Sequence, residues 1–154
     1  MSCDYYLAGP VVTDNETKEY VNLVYDKLCF KYTTKDIYRP GLHKVPNEWG
    51  ISMETWGQCV FTMDVVAIDE AKWIVLCNFG RTYQSAGTAW ECGYAFAKNK
   101  KILVVNMPGS EKDTSLMIVG CAANIVEYKD FMKSNDIEEF FIERGKIISK
   151  TICN

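Results

Sequence analysis

Two short runs, Trp73-Ile74-Val75-Leu76-Cys77-Asn78 and Lys101-Ile102-Leu103-Val104-Val105-Asn106, are apolar throughout their interiors and show no alternation of polar and apolar residues. A strand with one wet face alternates with a period of two. An unbroken run instead marks a strand covered on both faces, which is the usual state of a parallel sheet. Consecutive parallel strands need a long crossover, usually a helix. The stretch between the two runs supplies one, because Gly87 leads into a helical segment that ends near Lys98-Asn99.

The same pattern extends in both directions. Tyr5 to Ala8 reads as a strand halted by Gly9-Pro10, and Asp14 or Asn15 begins a helix to about Phe30 with Tyr20, Leu23, Val24 and Leu28 on one face. Asp36 to Arg39 is a weak second strand before Pro40-Gly41, and Ser52 caps a long helix to about Ala71 with Glu54 near its first turn. Asn124 to Tyr128 is a fifth strand and Ile137 to Thr151 a closing helix. The expected architecture is α/β: one domain over residues 1–154, built on a flavodoxin- or Rossmann-like doubly wound parallel sheet of about five strands. Such sheets bind ligands beyond the carboxyl ends of their strands, which directs attention to the loops after Ala8, Asn78 and Asn106.

Composition narrows the partner. A formal charge of -3 and a pI near 5.2 provide no basic field for a nucleic-acid backbone. No apolar run approaches the roughly 18 residues that a membrane span needs, and the first residues show no basic stretch followed by a long apolar one, so no signal sequence is expected. The seven cysteines include no CxxC pair and have no histidine at metal-ligand spacing, so disulfides and zinc are not expected. Several lie in apolar runs as small hydrophobes, which fits a reducing, cytoplasmic compartment. A small molecule, or a second copy of the chain, is the expected partner. The absence of GxxxxGK[ST] and GxGxxG argues against an NTPase or a dinucleotide dehydrogenase.

Three segments carry candidate chemistry. On the long helix, steps of 100° put Met53, Trp56, Val60, Asp64, Ala67, Ile68 and Ala71 on one stripe, with Asp64 in the middle of the apolar face. A core-facing Asp is either held structurally by hydrogen bonds or poised for proton transfer, and the pattern leaves both readings open; Asp69 and Glu70 fall off the stripe and are read as solvated. In Ser85-Ala86-Gly87-Thr88-Ala89-Trp90-Glu91-Cys92-Gly93-Tyr94-Ala95, hydroxyls and backbone N–H groups collect at a helix N-terminus suited to anions, and Glu91 sits one turn in. Alone, a first-turn Glu is a favourable dipole partner. In Tyr6-Leu7-Ala8-Gly9-Pro10, Tyr6 lies in the first strand near where a site would open; a strand tyrosine by itself is usually core. His43 has no serine or carboxylate motif beside it and reads as a surface residue.

Taken in order, YLAGP, an Asp-bearing helix ahead of a buried strand, GTAWExGYA and a late SLM resemble the nucleoside 2-deoxyribosyltransferase family and its relatives, the nucleoside 5′-monophosphate N-glycosidases. The resemblance spans nearly the whole chain. It implies a nucleophile at Glu91, a tyrosine that orients it at Tyr6, and a base-side acid at Asp64, the carboxylate already marked by the helical stripe. It further implies substrate contacts from Ala8, Gly9, Pro10, Ser85, Gly87, Thr88, Ser115 and Met117. The Ser115-Leu116-Met117 segment would complete a neighbouring subunit's pocket, hence a homo-oligomer. No metal or organic cofactor is implied.

The activity expected from the resemblance is cleavage of a (2-deoxy)nucleoside N-glycosidic bond through a glycosyl-Glu91 intermediate, with transfer of the sugar to another base. Two positions depart from the transferase pattern: Ser85 stands where transferases usually carry Asp, and Ser115 where they usually carry Asn. Serine at both is typical of the 5′-monophosphate N-glycosidases, which makes hydrolysis the alternative, although the YLAGP loop lacks the Arg and extra glycines some of those hydrolases use on phosphate. Arg81 is a loop candidate for such a phosphate. The transferases also place their C-terminal carboxylate in the site, a role that a tail ending Ile152-Cys153-Asn154 does not match. A nucleotide-sensing module without turnover is the competitor from another class, and Trp49, Trp56 and Trp90 could each stack on a base or fill core.

Overall fold

A computed structural model of the chain describes residues 3–11, 14–33, 35–80, 85–110 and 113–142. Five strands, β1 (Tyr5–Ala8), β2 (Ile37–Tyr38), β3 (Trp73–Asn78), β4 (Lys101–Asn106) and β5 (Asn124–Glu127), form one sheet in the order β2-β1-β3-β4-β5. Every pairing is parallel. This is the flavodoxin-like order, with its switch point between β1 and β3, and its parallel, doubly covered strands are what the unbroken apolar runs imply.

The helices are α1 (Asn15–Lys31), α2 (Met53–Glu70), α3 (Ala86–Ala97), α4 (Leu116–Cys121) and α5 (Tyr128–Lys133), with 3₁₀ turns at Glu48–Gly50 and Ile137–Phe141. Side chains at Asp14, Ser52 and Ser85 accept the backbone N–H three residues on, capping α1, α2 and α3. No helix among the described residues is long and apolar enough to cross a membrane.

Strand alternation sorts the core into two layers. Tyr5, Leu7, Val75, Cys77, Leu103 and Val105 pack under α1, α5 and the last 3₁₀ turn, while Tyr6, Ala8, Ile74, Leu76, Ile102 and Val104 pack under α2, α3 and α4. Gly80, just beyond β3, has φ +81° with Asp113 3.1 Å from where a Cβ would stand, so a side chain there would be strained and crowded.

Four expectations need correction. On α1 the buried residues are Thr17, Val21, Val24 and Leu28, and Leu23 faces outward. On α2 only the second half of the expected stripe is buried; Met53 and Trp56 are exposed. An 18-residue helix runs about 27 Å while a six-residue strand spans about 20 Å, so the first turns of α2 overhang the sheet. The expected closing helix begins instead as the 3₁₀ turn at Ile137–Phe141, with residues 143–151 outside the described set, while α4 and α5 are short helices the pattern does not announce. Asp69 is not merely solvated: it accepts the Tyr94 hydroxyl at 3.0 Å and pairs with Lys98 at 3.2 Å, tying α2 to α3.

Candidate active site

Tyr6 points from β1 into the layer under α2 and α3, where it stacks on Tyr38 of β2 at 5.5 Å between ring centroids. Asp64 reaches the same place from α2 and Glu91 from α3. The Tyr38 hydroxyl donates to Asp64 Oδ1 at 2.8 Å, and His43 stacks flat on the Tyr38 ring at 4.4 Å. The three residues expected to act together, Tyr6, Asp64 and Glu91, are therefore brought together.

Their hydrogen bonding is incomplete. Among the described residues, the buried side-chain polar atoms with no hydrogen-bond partner are the Tyr6 hydroxyl oxygen and Glu91 Oε2. The two groups interact by charge and by a weak hydrogen bond whose geometry is poor, so neither atom is fully satisfied. A buried polar group left unpaired costs about 1–3 kcal/mol, so two in one place are a stored expense that a ligand could relieve.

Burial and the nearby Asp64 charge push the Glu91 carboxyl up to about 8, with Tyr6 pulling the other way. Burial likewise raises Asp64, opposed by the Tyr38 hydrogen bond and the His43 charge. The Tyr6 hydroxyl is raised by burial and by the Glu91 and Asp64 charges, so it stays protonated and available as a donor. The Asp64 charge opposes ionisation of Glu91, so near neutrality the two carboxyls resist carrying two negative charges at once. One is then acid and the other anion, a division of labour that proton-coupled catalysis uses.

The remaining expected site residues fall in three groups. Ala8 and Pro10 are buried, and Gly9 is wedged between Cys77 and Val21; Gly9 and Pro10 border a cavity of about 240 Å³ that Lys18, Arg39 and Gly41 also line. Ser85, Gly87 and Thr88 form the first turn of α3, where the Ser85 hydroxyl accepts the Thr88 N–H at 3.0 Å and meets the Thr88 hydroxyl at 2.6 Å. Ser115 caps α4 without a side-chain hydrogen bond, and Met117 is 82% exposed, so within one chain this segment is turned to solvent. Arg81 and the C-terminal tail lie outside the described residues. Trp49, Trp56 and Trp90 are all exposed and fill no core.

Two partners escaped the sequence reading. Tyr38 was one residue of a weak strand, and His43 is exposed as expected yet joined to Asp64 through Tyr38. Their signal was topological: β2 flanks β1, so residues that follow β2 come to lie beside Tyr6.

A third feature braces the carboxyl ends of β3, β4 and β5. Asn78 donates to Asn106 Oδ1 and to the Thr114 hydroxyl, each at 2.8 Å, and Asn106 donates to Glu127 at 3.2 Å. This satisfied buried network fixes the start of the segment that leads to Ser115.

The family model for nucleoside 2-deoxyribosyltransferase matches residues 5–133. No curated protein matches the chain by sequence. Among solved structures, the chain is similar to the 2-deoxyribosyltransferase from the psychrotolerant bacterium Bacillus psychrosaccharolyticus, with a TM-score of 0.71 and 22% identity over 92% of this chain and 98% of that one. A conserved protein from Enterococcus faecalis V583 matches with a TM-score of 0.63 and 18% identity, over 88% of this chain and 98% of that one. The Clostridium botulinum CMP N-glycosidase matches with a TM-score of 0.52 and 20% identity, over 84% and 94% respectively. At these identities the structural likeness speaks to the fold.

The class is thus an α/β enzyme that acts on nucleosides or nucleotides, in chemistry of glycosyl transfer or cleavage. The chain belongs to the nucleoside 2-deoxyribosyltransferase family.

Proposed function

We propose that the protein transfers a 2-deoxyribosyl group between bases, with Glu91 as nucleophile, Asp64 as general acid and base, and Tyr6 as the group that orients Glu91. The observation that carries this reading is the pair of orphaned polar atoms, one on Tyr6 and one on Glu91, beside a second carboxyl on Asp64. A glycosyl group bonded to Glu91 neutralises the buried carboxylate, which relieves the cost of its desolvation.

In the forward half-reaction the Glu91 carboxylate forms a bond to the anomeric carbon as the C–N bond breaks through an oxocarbenium-like state. The departing base takes its proton from Asp64. In the second half an incoming base attacks the same carbon, its proton passes to Asp64, and the Glu91 ester breaks to restore the carboxylate. Tyr6 donates to whichever Glu91 oxygen is not bonded to sugar.

Hydrolysis of a 5′-monophosphate is the second reading, and a specific observation favours it. Lys18 and Arg39 line the cavity beside Gly9 and Pro10 at the ends of β1 and β2, where a phosphate would meet positive charge. Ser85 argues less strongly, because its hydroxyl already caps α3.

A homo-oligomer fits the exposed apolar side chains. Leu116 and Met117 stand out from the chain, as do Phe61 and Trp90, whose rings touch at 5.3 Å across α2 and α3. The Ser115-Leu116-Met117 segment then completes a neighbour's pocket.

The deciding assay incubates the protein with a deoxynucleoside, and separately with its 5′-monophosphate, each with and without a second free base, and follows bases and nucleosides by chromatography. New nucleoside formed only with the acceptor supports transfer. Base released from the monophosphate without exchange replaces transfer by hydrolysis. No turnover in any arm, with ligand binding retained, leaves a sensing module.

A further inference from the structure

Directly after Glu91 comes Cys92, buried on the core side of α3, and its Sγ lies 2.8 Å from Sγ of Cys121, the last residue of α4. Both are free thiols, and among the described cysteines this is the pair in sulfur–sulfur contact. Cys121 is partly exposed and its Sγ lies 3.2 Å from the Ile118 carbonyl. An S–S bond is about 2.05 Å long, so closing this gap needs a shift of less than about 1 Å.

We propose that Cys92 and Cys121 are a redox modification site, a dithiol that closes to an intrachain disulfide on exposure to a small-molecule disulfide such as oxidised glutathione. Accessibility sets the order of events. The Cys121 thiolate attacks one sulfur of the oxidant, whose S–S bond breaks and whose other half leaves as a thiolate that takes up a proton. Cys92 then loses its proton and attacks Cys121 Sγ, expelling the second half as a thiol. Two protein thiols are oxidised and one external disulfide is reduced to two thiols. The contact biases the pair in that direction: the Cys92 hydrogen bond lowers the Cys121 thiol, and the same contact together with burial raises Cys92.

The bond would clamp α3, which carries Glu91, to α4, which begins at the Ser115-Leu116-Met117 segment. This inference rests on the thiol contact alone and stands whichever reaction the enzyme performs.

The test equilibrates the full chain at graded ratios of oxidised to reduced glutathione, quenches with acid, alkylates with N-ethylmaleimide under denaturing conditions and maps the peptides. The expected result is loss of two alkylation sites with a cross-linked peptide that joins Cys92 to Cys121. Closing a loop between positions 29 residues apart should also raise Tm by about 5–10 °C, an effect that dithiothreitol reverses. Cys121→Ser, and separately Cys92→Ala in case either variant folds poorly, should abolish both the cross-link and the Tm rise. Full alkylation of both thiols under oxidising conditions would overturn the proposal. So would a cross-link between other cysteines, or glutathione retained on Cys121 without release.

Discussion

Tyr5 and Tyr6 are adjacent in β1 and point to opposite faces of the sheet, and their surroundings differ in kind. Tyr5 lies among Tyr32, Trp73 and Phe141, and its hydroxyl donates to Glu138 at 3.1 Å. Glu138 in turn pairs with Lys35. Nearby, Lys27 donates to the Met132 and Ser134 carbonyls at 2.6 and 2.8 Å. Tyr6 is as deeply buried as Tyr5, yet its hydroxyl completes no hydrogen bond of good geometry and it faces two carboxyls, of which Asp64 opposes the ionisation of Glu91. One face is arranged for stability, with its polar groups paired; the other leaves buried groups unpaired where a substrate could complete them. Burial alone therefore separates nothing here, and the state of the hydrogen bonds does.

The sharpest way to break this contrast is Glu91→Gln. Turnover should fall at least about a thousandfold if Glu91 is the nucleophile, measured as initial rates of base exchange or release. Stability should move in the opposite direction. Because the folded-state carboxyl is raised to about 8 from an ordinary 4.5, its protonated form is the one that folding favours. Wild-type protein is therefore unburdened below pH 4.5, loses stability as pH rises, and carries the full penalty above pH 8. Glu91→Gln removes that penalty, so the Tm difference between variant and wild type should grow from pH 5 to pH 9 in favour of the variant. A constant difference across that range would mean that Glu91 is not a raised, buried acid.

Asp64→Asn comes next. Loss of the acid should slow turnover by about 10²–10⁴. The wild-type rate is expected to fall near pH 8, where the carboxyl pair loses its last proton and with it the acid, and that fall should vanish from the variant's pH–rate profile because the variant has no such acid to lose. A reduced rate with the same alkaline limb would show that the two carboxyls do not share a proton.

How far these distinctions could be read from sequence depends on their range. The strands β3 and β4 were fixed to the residue, because an unbroken apolar run flanked by polar punctuation is a local signal. So was the cap at Ser52, which bonds only three residues away. Asp64 was legible as a polar break in an apolar stripe, although half of that stripe proved to overhang the sheet. Glu91 and Tyr6 were legible through the ordered motifs, and neither would have stood out from periodicity alone. Tyr38 and His43 were not legible, since nothing near them in the chain announces that a short edge strand will lie beside β1. The Cys92–Cys121 contact was equally silent: its two members belong to segments whose meeting depends on α4, a six-residue helix too short for a periodic signature.

The paired substitutions Tyr6→Phe and Tyr5→Phe test the comparison most directly, at a smaller scale. Tyr6→Phe removes a donor to the nucleophile but breaks no folded-state hydrogen bond of good geometry, so the rate should fall roughly tenfold to a hundredfold while Tm changes little. Tyr5→Phe removes a satisfied hydroxyl and leaves Glu138 with Lys35, so it should cost about 1 kcal/mol, or roughly 2–4 °C in Tm, with turnover unchanged. Equal losses of Tm in both variants would erase the distinction between the two faces.

Among the site residues Tyr38→Phe should have the smallest effect on rate, and it is the most diagnostic of how the site is held. The Tyr38 hydroxyl opposes the rise that burial imposes on Asp64, so without it Asp64 should hold its proton to higher pH. The expected rate loss at the optimum is less than about tenfold, because Tyr38 acts through Asp64 and not on the substrate. The acid limb of the pH–rate profile, which reports the first proton lost from the carboxyl pair, should move to higher pH. A variant with a lower rate and an unmoved acid limb would make Tyr38 a packing residue, and Asp64 would then be positioned by its helix alone.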